Sequence, residues 1–73
     1  QKVINFILEQ VKSQKTTEIK LKLTKEQISS LLGIPRPSLS RELMKLRDDG
    51  IIEFDRSNIK VIRIEDLEEE LLE

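Results

Sequence analysis

Seventy-three residues allow one domain around one core and exclude a second. The absence of Cys, His, Trp and Tyr excludes disulfides and removes the usual thiolate and imidazole ligands of a structural metal, so aliphatic packing must hold the fold. The formal charge of −1 argues at first against a nucleic-acid partner, until the distribution of the charge is considered.

In chain order, Ile4, Ile7, Leu8 and Val11 recur at the spacing of one apolar helix face, predicting a first helix over about residues 1–14. The stretch EIKLKL alternates Ile19, Leu21 and Leu23 with Lys20 and Lys22, which predicts a short strand with one buried face. Thr24 and Gln27 in TKEQ have the spacing of a capping box, so a second helix starts at Lys25. Its apolar residues are Ile28, Leu31 and Leu32, with Ile28 and Leu31 expected in the core, and Gly33 stands where a left-handed residue would stop it. Pro37 suits the first turn of a third helix, expected over about residues 37–48 and closed by Gly50. Leu39, Leu43 and Leu46 form its buried arc, with Pro37, Ser40, Arg41 and Met44 opposite. IIEF, DRSN and IKVIRI predict two strands about a tight turn, with Ile59, Val61 and Arg63 facing one way and Lys60, Ile62 and Ile64 the other. EDLEEELLE predicts a short acidic helix that turns Leu67 and Leu71 inward.

Helix, strand, short helix, tight turn, longer helix and hairpin is the order of an α+β winged helix-turn-helix, whose second paired helix enters the DNA major groove. The stretch LTKEQISSLLGIPRPSLSRELMKLRDDGIIEFDRSNIKVIRI resembles the DNA-binding domain of the Crp/Fnr regulators over about residues 19–64. The most specific part is the run from Gly33 to Arg41, followed by Leu46, Gly50, Ile51 and Ile52. The resemblance implies a C-terminal output module of a homodimeric transcription regulator with an N-terminal β-roll sensor and a long dimerisation helix. It implies double-stranded DNA as partner, RNA polymerase as a further one, and no cofactor within these residues, since an effector would bind the sensor. It also implies that Arg41 contacts guanine and that Arg36, Pro37 and Ser40 occupy base-contacting positions. Pro37 departs from the family pattern: many members carry Glu there, which accepts from cytosine, whereas proline cannot. A family half-site therefore does not transfer to this chain.

The residues themselves support part of this assignment. A guanidinium pairs bidentately with guanine O6 and N7, and Arg41 lies opposite the leucine arc. Arg36, at the helix start, is placed to meet either a base or a phosphate. Thr24 and Lys25 open a helix, where amides and a cation can hold a phosphate, although Thr24 also serves as a cap. Ser38 either donates to phosphate or stabilises the helix start. Arg56, Ser57 and Lys60 on the hairpin could grip the backbone or merely solubilise a turn, and Lys45 is a solvated residue or a phosphate neighbour. Residues 65–73 hold six of the fourteen acidic groups and no basic one, leaving 13 basic against 8 acidic, or +5, over residues 1–64. The acidic pairs have no nucleophile or metal-binding partner beside them, so no enzymatic activity is expected. With no run of about eighteen apolar residues and no apolar signal core, a cytoplasmic location and no membrane partner are expected. The competing readings are a winged helix used for protein contact and a regulator of another winged-helix family.

Overall fold

A computed structural model describes residues 2–72. Its elements are α1 (Lys2–Gln14), β1 (Glu18–Lys20), α2 (Lys25–Leu32), α3 (Arg36–Asp48), β2 (Ile52–Phe54), β3 (Asn58–Val61) and α4 (Ile64–Leu72). Gln1 and Glu73, at the ends of the first and last expected helices, lie outside the described residues. The sheet is antiparallel in the order β1-β3-β2, so the last strand lies between two earlier ones. Ile19 pairs with Ile59, and Ile52 with Val61, and all four point into the core. Beneath them lie Val3, Ile4 and Ile7 of α1, Leu39, Leu43 and Leu46 of α3, and Leu67 of α4.

The helix-turn-helix forms for local reasons. Thr24 Oγ1 accepts from the Gln27 amide at 3.1 Å, and Gln27 Oε1 accepts from the Thr24 amide at 2.9 Å, closing the expected capping box. Gly33 adopts φ +68°, and its amide and that of Ile34 donate back to Ser30 and Ser29, ending α2 after eight residues. Pro35 is the N-cap of α3, and Pro37 sits in the first turn where no amide is needed. Gly50, at φ +75°, ends α3 as expected.

Several boundaries and placements differ from the sequence reading. Leu31 is 66% exposed, whereas Ser29 is 6% exposed. The buried side of α2 runs through Lys25, Ile28, Ser29 and Leu32, at i, i+3, i+4 and i+7, which rotates Leu31 outward. Ser29 tolerates burial because its hydroxyl donates to the Glu26 carbonyl at 2.8 Å. The first strand stops at Lys20 rather than continuing to Leu23, because the Leu21 amide already meets the wing-turn carbonyl of Ser57 and no strand lies beyond it to pair with. Leu23 is accordingly exposed. The last strand ends at Val61, since the amides of Ile62 and Arg63 both turn to the Ile51 carbonyl and α4 begins at Ile64. Finally, α3 starts one residue before Pro37, at Arg36.

Candidate nucleic-acid interface

Three chain segments converge on one groove of about 470 Å³: the turn into α2, the start of α3, and the tip of the wing between β2 and β3. Of the residues expected at the interface, Thr24, Lys25, Arg36, Arg56 and Ser57 all line it. Lys22 joins them, which the sequence reading missed by assigning it to the polar face of a strand. The groove thus carries four cations from three segments and no acidic side chain. In such a concave, single-sign surface the potentials add, which favours an anionic chain over a neutral ligand.

The polar groups there are shaped by backbone geometry. The Thr24 hydroxyl accepts the Gln27 amide and keeps its own proton to donate. Amides of the first turn of α2 have no partner within the helix, as at any helix start. At the wing tip, Asp55 accepts from the amides of Ser57 at 2.9 Å and Asn58 at 2.8 Å, and from the Asn58 side chain at 3.2 Å. These bonds, the Ser57 amide foremost, hold the Asp55 carboxyl below its usual range. They also fold the turn so that Arg56 and Ser57 protrude on the groove side.

Beside the groove, α3 presents a second surface. Pro37 and Arg41 are exposed, Ser38 and Ser40 are half-buried, and Met44 is 41% exposed, opposite the buried leucines. Arg41 Nη2 donates to Ser38 Oγ at 3.3 Å, which holds the guanidinium along the first two turns of the helix. Arg36 belongs to both surfaces. Lys45 is exposed farther along α3, outside the groove. Lys60 is also outside it, on the solvent side of the central strand, in register with Glu18 on one neighbour and Glu53 on the other. Its charge is locally opposed, unlike that of Arg56 at the tip. The acidic α4 packs against α1 through the buried Leu67.

Among the described residues, no group of three or more His, Cys, Asp or Glu side chains is disposed to hold a metal ion, and no helix is long and apolar enough to cross a membrane. Two helices joined by a tight turn, with a hairpin wing and a cationic groove between them, define a winged helix-turn-helix. The model of the Crp-like helix-turn-helix domain matches residues 1–70, and the chain belongs to that family of DNA-binding transcription-regulator domains, not to an enzyme class. It is similar to a chain described as a transcriptional regulator of the Crp/Fnr family from Eubacterium rectale ATCC 33656, with 31% identity and a TM-score of 0.78 over 92% of this chain and 30% of that one. Two structures of CprK, one described as OCPA-complexed and one as oxidized and in complex with o-chlorophenolacetic acid, share the fold at a TM-score of 0.82 and 23% identity. The match covers 93% of this chain and 35% and 31% of theirs, so the chain spans about a third of the length of the chains it resembles. No curated protein matches it.

Proposed function

We propose that this domain binds one half-site of an operator in double-stranded DNA, with α3 in the major groove and the wing on the adjacent backbone. Arg41 reads a guanine, and Arg36, Pro37 and Ser40 lie along neighbouring base edges. Thr24, Ser38, Arg56 and Ser57 face phosphates, and Lys45 and Lys60 contribute at the rim. The observation that carries this reading is the continuity of the acid-free cationic groove with the exposed face of α3, through Arg36. A duplex whose bases met α3 would lay its phosphates along that groove.

The Crp/Fnr relationship extends the proposal to the whole regulator: a homodimer, located in the cytoplasm, whose sensor domain binds the effector while this domain needs no cofactor, and which can engage RNA polymerase. A single copy neutralises few phosphates, so its binding is weak and strongly salt-dependent. Two copies fused through a dimeric coiled coil should bind a palindrome far more tightly, with half-sites about one helical turn apart. Selection from a random duplex pool at low salt tests this. Recovery of a two-fold symmetric site supports the proposal. A fused dimer that retains no duplex at low salt contradicts it and favours a protein-interaction module.

A further inference from the structure

Phe54, the last residue of β2, is half-buried and exposes part of its ring at the base of the wing. Two cations stand over that ring, Lys25 Nζ and Arg47 Cζ, each 5.4 Å from its centroid. Lys25 Nζ also donates to the Asp55 carbonyl at 3.2 Å, the first residue past the strand. Lys25 opens α2 and Arg47 lies in the last turn of α3, so both helices of the helix-turn-helix hold the same point of the hairpin. Arg56 follows two residues after Phe54, at the wing tip beyond that point.

We propose that Lys25, Phe54 and Arg47 form a clamp that fixes the wing against the helix-turn-helix and so sets the spacing between Arg56 and Arg36 across the groove. In this role Lys25 is a positioning residue and not a phosphate contact. The Lys25 ammonium spends one of its three donors on the Asp55 carbonyl while its charge lies over the ring, so the contacts that place it belong to the wing, whereas Arg56 makes no such contact among the described residues. The clamp also gives Phe54, one of two aromatic residues in the chain, a reason to sit half-exposed at the wing base. The inference rests on the reading of the groove as the seat of the DNA backbone, and the two are separable by salt dependence. A lost phosphate contact lowers the slope of log K against log salt by about 0.9, whereas a lost tether lowers affinity and leaves the slope alone.

The chain and its variants Lys25→Met, Lys25→Arg, Phe54→Leu and Arg56→Ala are titrated against a duplex at several salt concentrations. Amide exchange at residues 55–58 is followed in the DNA-free proteins. Lys25→Met and Phe54→Leu should each weaken binding by about three- to ten-fold, the range expected for a lost cation–π contact with or without one hydrogen bond. Their slopes should equal that of the parent chain, their wing-turn amides should exchange faster without DNA, and Lys25→Arg should restore both affinity and protection. Because Lys25→Met alters no core residue, it keeps the test valid should Phe54→Leu unfold. A slope lowered by about 0.9 in Lys25→Met, with wing-turn exchange unchanged, would make Lys25 a phosphate contact and overturn the clamp. If instead Arg56→Ala leaves the slope intact, the groove reading fails, while the exchange data on free protein still decide for or against the clamp.

Discussion

Single side chains at the wing show how much of the interface is set by hydrogen bonds no longer than a turn. The Asp55 carboxylate accepts from the Ser57 and Asn58 amides, which depresses its pKa below the ordinary aspartate value. A depressed carboxylate contributes its stabilisation fully above the unfolded value and loses it as pH falls through the folded one. The wing turn should therefore stay intact through neutral and mildly acidic pH and loosen only below the ordinary aspartate range. Amide shifts of Ser57 and Asn58, followed through an acid titration, should move together with a midpoint below that of solvated carboxylates. Asp55→Ala should abolish that transition, and a midpoint at or above the ordinary value would contradict the account. The DRSN turn was legible in the sequence because Asp, Ser and Asn favour such bonds. The opposed charge at Lys60 was not legible, because its glutamate neighbours, Glu18 and Glu53, come from different strands whose pairing no local pattern encodes.

At the scale of elements, caps and breakers carried most of the information. The capping box at Thr24, the left-handed Gly33, and Pro37 near the start of α3 each act within a few residues, and each was found where the sequence placed it. Which side of a two-turn helix faces inward is a weaker signal, since one residue of rotation moves a side chain by about 100°. That is why Leu31 was expected in the core and Ser29 was not. The consequence is measurable by denaturant unfolding. Ile28→Ala, at a buried site, should cost about 2–4 kcal/mol. Leu31→Ala should change stability by less than about 0.5 kcal/mol, as at an ordinary surface position. Comparable losses at the two sites would mean that Leu31 is buried after all. Strand lengths were the least legible feature: β1 and β3 end where their partners turn away, a property of the neighbour and not of the strand.

On the scale of the whole molecule, the fold segregates charge that composition averages out. Glu65, Asp66, Glu68, Glu69 and Glu70 lie on α4, which packs on α1, while the cations of the α2 turn, the α3 start and the wing share one groove. The sheet order makes this convergence possible, since β3 in the centre ties β1, and hence the loop into α2, to the wing. The order of elements and the exposed face of α3 were readable from periodicity, and the resemblance to the Crp/Fnr regulators added the expected roles. Lys22 entered the groove only through the tertiary turn that ends β1 early.

The central claim is that α3 reads bases through Arg41 while the groove holds phosphates without regard to sequence. Titrations of Arg41→Ala and Arg56→Ala against a selected site and a guanine-substituted site, at several salt concentrations, test it most directly. Arg41→Ala should cost about 1–3 kcal/mol on the selected site and erase most of the preference for one guanine per half-site. Arg56→Ala should weaken both sites about equally and lower the salt slope by about one unit. Both variants should stay folded, since neither side chain is buried. If Arg41→Ala lowered affinity for both sites alike and left the guanine preference intact, α3 would not read bases through Arg41, and the account would be contradicted at its centre.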